Sequence, residues 1–179
     1  YTRFLGMVFY DLKFWDFEEP FKKFRAHGLL IRDGAKISKS KGNIINPDDY
    51  IKKFGADVFR MYLMFLAPFE QGGDFRDSGI MGIKRFLGRI HASFQRPFIK
   101  ANKEIIVLFH QTIKKVTEDI ENLRYNTAIS ALMILFNEIE KTGLDKETGT
   151  AFLKMVAPLA PHLTEELWFS AMKQKKSIH

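Results

Sequence analysis

Lys36-Ile37-Ser38-Lys39-Ser40-Lys41-Gly42-Asn43 is the stretch on which the reading of the whole chain turns. Lys36 and Lys39 stand three apart, each followed closely by a serine, and a third lysine leads into a Gly-Asn pair. Such a loop offers ammonium groups, hydroxyls and free backbone N–H groups, the donor set that suits a polyphosphate. Gly42 and Asn43 supply the backbone freedom of a tight, mobile turn. Taken alone, the same residues also describe a solvated lysine loop, so the flanking sequence has to decide.

Upstream, His27-Gly28-Leu29-Leu30-Ile31 reads as a brief strand of the fully buried kind, and Arg32-Asp33-Gly34 turns it into the lysine loop. A buried strand ending in a glycine-hinged cationic loop is how α/β folds present phosphate-binding groups at a sheet edge. Before it, Phe4, Leu5, Val8, Phe9 and Leu12 recur at helical spacing, Trp15 and Phe17 follow, and Pro20 opens a short helix over residues 21–24. Downstream, Asn46-Pro47-Asp48-Asp49 is a helix start, with a cap, a proline and acids in the first turn, and Gly55 stops that helix. Asp57–Leu66 is apolar nearly all round and belongs in a core. Arg60 within it needs a partner, either a carboxylate or an RNA phosphate. Pro68 and Gly72-Gly73 break the pattern and set the main boundary.

From Ser78 onward the pattern is that of a helical bundle. Ile80, Ile83, Leu87, Ile90 and Phe94 form one apolar stripe, widened by Phe86, with Lys84, Arg85, Arg89 and Arg96 mainly off it. A second helix carries Ile105, Phe109, Ile113, Val116, Ile120 and Leu123. A third, capped near Asn126, carries Ile129, Leu132, Leu135, Phe136 and Ile139. A fourth runs from about Lys146 to Val156, and Pro158 and Pro161 bend the chain into a last helix with Leu163, Leu167 and Trp168. The tail Lys173–Lys176 suits either a solvated end or a backbone-phosphate contact, and the solvated end is the preferred reading. Residues 84–124 hold nine Lys/Arg against four Asp/Glu, a basic surplus suited to a nucleic-acid backbone or simply to solubility.

The totals agree with these readings. The chain of 179 residues is 46% hydrophobic with 18 Phe, ample for a core, and its net charge of +7 suits a polyanionic partner. Zero cysteines exclude disulfides, thiolate zinc sites and a cysteine nucleophile, and are compatible with a cytosolic protein. No apolar run approaches the ~20 residues that span a bilayer, so no membrane partner is expected. A P-loop is set aside, because Gly34 to Gly42 does not follow the G-x-x-x-x-G-K-[ST] order.

The lysine stretch closely resembles the KMSKS loop of the class I aminoacyl-tRNA synthetases, with Ile37 where that pattern most often has Met. Pro47–Ile51 and Phe54-Gly55-Ala56-Asp57 through Tyr62 resemble the segment that follows KMSKS in the synthetases for aliphatic amino acids, and Leu159–Trp168 resembles a segment of their anticodon-binding domains. Tyr1–Phe21, Pro68–Phe75 and Arg85–Arg89 look most like the leucyl members. The family's His-x-Gly-His signature does not occur, so the chain is expected to be a fragment that carries only the last part of the catalytic domain.

The resemblance implies a mainly α fold. Residues 1–75 would be the residual C-terminal part of a Rossmann-like catalytic domain, and residues 76–179 an antiparallel anticodon-binding bundle, truncated at its C-terminal end. It implies activation of leucine with ATP and transfer to leucine tRNA in the full-length enzyme, with this fragment inactive alone. Lys39, assisted by Lys36, would stabilise the leaving pyrophosphate. Ser38, Ser40, Gly42 and Asn43 would complete the ATP-binding loop, and Lys84, Arg85, Arg89 and Arg96 would contact tRNA. Magnesium would arrive with ATP rather than in a protein site, and the protein would be a cytoplasmic monomer. His91, His110 and His162 would be structural. The alternatives are an isoleucyl or valyl fragment, or a non-catalytic RNA-binding helical module on the same scaffold.

Overall fold

A computed structural model describes residues 1–100 and 103–179. It is mainly α, as expected: eight α-helices and three short strands lie among the described residues. Helix α1 (Thr2–Asp11) is followed by an irregular stretch and then by strands β1 (Leu30–Arg32) and β2 (Ala35–Lys36). β1 and β2 form a tight hairpin pairing Ile31 with Lys36 and Arg32 with Ala35. Its two turn residues, Asp33 and Gly34, both have positive φ, which gives a hairpin turn the twist its strands require.

Helices α2 (Pro47–Phe54) and α3 (Ala56–Phe65) then carry the chain back to β3 (Gly73–Phe75). β3 lies parallel to β1, pairing Leu30 with Gly73 and Arg32 with Phe75, so the sheet order is β2-β1-β3. A parallel pair needs such a crossover, and here the crossover contains the lysine loop. The start of α2 is as read from sequence: the Asn46 side chain accepts from the Asp48 amide at 3.2 Å, and Pro47 sits at the first position. Near the sheet two backbones cross. Gly28 donates to the Phe69 carbonyl at 2.9 Å, and a Cβ on Gly28 would lie 1.8 Å from the Gly72 nitrogen.

Helices α4 (Ile80–Phe94), α5 (Lys103–Glu121), α6 (Tyr125–Thr142), α7 (Lys146–Val156) and α8 (Pro161–Ser170) form the bundle. The buried side of α4 is Ile80, Ile83, Phe86, Leu87, Ile90 and Phe94, the stripe expected from spacing alone. Asp145 caps α7 by accepting from the Thr148 amide at 2.7 Å. The apolar core does not stop at the Pro68–Gly73 break: Val58, Phe59, Met61 and Tyr62 of α3 are buried in one cluster with α4, α6 and α8. Behind α8 the tail's lysines are exposed, while its backbone turns back, with Trp168 Nε1 donating to the Lys176 carbonyl at 2.9 Å.

Four expectations are corrected. Residues 21–24 form no helix: one isolated turn is too costly to nucleate, and Phe21 and Phe24 find nothing to bury against. His27–Leu29 lie outside the strand, and Leu29 and Leu30 are exposed, because no layer among the described residues closes over them. Asn126 does not cap α6, whose first flanking residue is Arg124; the Thr127 hydroxyl bonds the Arg124 carbonyl instead. Arg60 pairs with no carboxylate among the described residues and instead donates to the Pro158 carbonyl at 3.1 Å, its side chain remaining exposed.

Candidate functional site

The lysine loop is built around Asn43. Its Oδ1 accepts from the Ser38 amide at 2.9 Å and its Nδ2 donates to the Lys36 carbonyl at 3.1 Å. The side-chain amide thus closes the loop like a staple, since one residue at its exit satisfies both an acceptor and a donor at its entry. Inside the staple, Lys39–Lys41 make a single 3-10 turn that ends on Gly42 in the left-handed region, at φ 63°. Ser38 Oγ and Ser40 Oγ lie 3.2 Å apart, and Ile37 is half-buried, which fits an anchoring side chain.

Lys36, Lys39 and Lys41 project into solvent, and among the described residues none of them forms an ion pair. Three ammonium groups on a six-residue arc repel one another, so an incoming polyanion relieves that repulsion as it binds. The structure therefore brings the six loop residues proposed from sequence (Lys36, Ser38, Lys39, Ser40, Gly42 and Asn43) into one closed unit.

Beneath the loop a polar framework fixes both flanks. Arg32 of β1 donates to the Ile44 carbonyl at 3.2 Å, directly after the loop, and reaches Asp77 at 3.5 Å. Tyr50 of α2 donates to the other Asp77 oxygen. Burial, aided by that bond to Asp77, pushes the Tyr50 phenol up to about 12. On the hairpin side the Gly34 amide donates to Asp74 at 3.1 Å, and Asp74 also pairs with Arg76 at 2.8 Å. The Gly34 amide and then Arg76 hold the Asp74 carboxyl below its ordinary value. Arg32, Tyr50 and Asp77 line a cleft of about 450 Å³ with Asp49, Lys53 and Met81. None of this framework was legible in the sequence, because Asp77 meets its partners 27 and 45 residues away with no periodic signal.

The four basic candidates of the bundle share α4 and its end. Lys84 stands 5.6 Å over the Phe54 ring, and Arg85 and Arg96 are exposed. Arg89 is already engaged: it pairs with Glu140, donates to Asn137 Oδ1 at 2.7 Å and lies over the Phe136 ring. That bond to Arg89 holds the Glu140 carboxyl below its ordinary value. The basic surplus is further reduced at Asp119, whose side chain is 2% exposed and pairs with Lys115 at 2.8 Å and Arg124 at 2.9 Å. Among the described residues no group of three or more His, Asp or Glu converges to hold a metal ion.

Comparison with known proteins follows the same division. A family model described as tRNA synthetases class I (I, L, M and V) matches residues 3–75, and one described as the anticodon-binding domain of tRNA ligase matches residues 102–179. A leucine–tRNA ligase of Dehalococcoides mccartyi is 41% identical over all of this chain. The chain belongs to the class I tRNA synthetases.

It spans 24% of the length of that synthetase. Leucine–tRNA ligases of Petrotoga mobilis and Thermotoga petrophila are each 40% identical over 94% of the chain, and again the chain spans 24% of them. Among solved structures, the ternary LeuRS-tRNA-LeuAMS complex from Agrobacterium radiobacter contains a synthetase that superposes with a TM-score of 0.84 at 29% identity, covering 99% of this chain and 26% of that one. The two family models leave residues 76–101 between them, and that interval holds α4 with its basic residues.

Proposed function

We propose that this chain is the part of a leucyl-tRNA synthetase that carries its ATP-closing lysine loop and its tRNA-docking bundle. The observation that carries the reading is the likeness to leucine–tRNA ligases along the whole chain, with a stapled loop, its lysines without an ion pair among the described residues, at the position where the resemblance puts KMSKS. In the full-length enzyme the leucine carboxylate attacks the α-phosphate of ATP, pyrophosphate leaves, and the leucyl group passes to the terminal ribose of tRNA. Negative charge builds on the departing pyrophosphate. Lys39, with Lys36 beside it, would meet that charge, and Ser38, Ser40 and the backbone around Gly42 would add hydrogen bonds. Asn43 would hold the arc in shape, and Mg²⁺ would enter with ATP.

Residues 76–179 would dock tRNA through phosphate contacts on the exposed side of α4, with Lys84, Arg85 and Arg96 available and Arg89 held by Glu140. No described helix is long and apolar enough to cross a membrane. On the synthetase reading the enzyme would be a cytoplasmic monomer. The isoleucyl and valyl alternatives lack support among the relatives reported above. Binding of the polypeptide to leucine, isoleucine and valine tRNA transcripts across a salt series tests the reading. Tighter binding to leucine tRNA that weakens steeply with salt is the expected result. Absence of binding at low salt would remove the docking role from this part of the enzyme.

A further inference from the structure

Helix α3 grips the turn between α7 and α8 at two points. Asp57, in its first turn, is 8% exposed; its Oδ2 accepts from the Leu163 amide at 2.7 Å and its Oδ1 from the His162 amide at 3.3 Å. Oδ1 also bonds His162 Nδ1 at 2.8 Å. Helix α8 has no side-chain cap of its own, since its first flanking residue is Ala160. Asp57 therefore serves as its cap from 105 residues away in the chain. One turn further along the same face, Arg60 donates to the Pro158 carbonyl. The acidic group holds the amides after the turn and the basic group holds a carbonyl before it, so the turn is fixed in both polarity and rotation.

The other end of this helix pair leads to the lysine loop. From Asn43 the chain passes within three residues to the Asn46 cap, then through α2 and α3 without a break beyond Gly55. We infer that Asp57 and Arg60 are positioning residues that set the tRNA-docking bundle against the lysine loop, so that a tRNA seated on the bundle presents its terminal ribose to the activated leucine. The inference rests on the synthetase reading above. In it both residues act through the placement of α8 and the helices packed on it, by their bonds to His162, Leu163 and Pro158.

The test separates the two steps of the reaction in the full-length enzyme that carries this chain. Asp57→Asn keeps the shape but replaces one accepting oxygen with an amide NH₂ where N–H donors point, and Arg60→Ala removes an exposed group whose loss leaves the core intact. Both variants are expected to retain leucine-dependent ATP–pyrophosphate exchange within about twofold, while the KM for tRNA in aminoacylation rises about five- to tenfold. Because the two residues hold one turn, the double variant is expected to be little worse than the more damaging single one. Aminoacylation unchanged in Arg60→Ala would overturn the inference, as would a parallel loss of exchange and charging that tracks a lower Tm, the mark of a purely structural cap. A wild-type enzyme that exchanges pyrophosphate with isoleucine or valine instead of leucine would sink the leucyl assignment and leave the positioning question separate.

Discussion

Residues 1–30 and residues 56–172 draw on the same apolar vocabulary and use it differently. Six of the 18 Phe fall in the first thirty residues, and none of them is buried; Phe14 is 73% exposed and Phe24 90%. In the second region Phe59, Phe75, Phe86, Phe94, Phe109, Phe136 and Phe152 are all buried in one cluster. The first region holds itself together by local contacts: Phe9 meets Phe14 and Trp15 edge-on, and Trp15 stacks on Phe17 at 4.7 Å. The second is organised by partners far apart in sequence. Composition fixes how much can be buried, and topology decides whether a partner surface is there to receive it.

The difference predicts unequal responses to the same substitution. Phe152→Ala, at a fully buried position, is expected to cost about 3–5 kcal/mol of bundle stability, whereas Phe14→Ala should stay within about 0.5 kcal/mol. Denaturant melts of the two variants check this, and equal costs would break the comparison. A Cβ at Gly28 would collide with the Gly72 backbone, so Gly28→Ala should release the crossing of the two chains beside the sheet. Hydrogen exchange is the readout: faster amides at 28–31 and 70–75 with α6 still protected is expected, while a loss spread over α6 would join the two regions into one cooperative unit.

The smallest effect is one of pH. Burial raises the Asp119 carboxyl, but hydrogen bonds from Lys115 and Thr127 and the nearby Arg124 outweigh it and hold it below its ordinary value of 3.8. A depressed folded value means stability that is present above the unfolded value and lost as pH falls through the folded one. The acid limb of the bundle's stability curve should therefore begin near pH 4 and steepen below it. Asp119→Asn should flatten that limb, as followed by thermal melts between pH 5 and 2; an unaltered limb would mean the pairing contributes nothing.

What could be read from the sequence follows from how local the physics is. The α4 stripe from Ile80 to Phe94, the Asn46-Pro47 start and the Lys146–Val156 span were legible, since spacing and caps act within a turn or two. The chemistry of the loop was legible as lysines and serines, and the resemblance supplied its role. Its closure was not: that Asn43 bridges Lys36 and Ser38 is a matter of side-chain geometry. The burial of β1 was overestimated because an apolar run says nothing about what covers it. The Asp57 cap and the Arg60 contact were out of reach for another reason, because their partners lie 98 to 106 residues away.

The central claim is that Lys39 meets the charge of the departing pyrophosphate. Leucine-dependent ATP–pyrophosphate exchange by the full-length enzyme carrying Lys39→Ala tests it most directly. Loss of a charge contact made mainly in the transition state should slow activation by about 10²–10³, with little change in the KM for leucine. An exchange rate equal to that of the unaltered enzyme would contradict the account and return the lysine loop to a solvated turn.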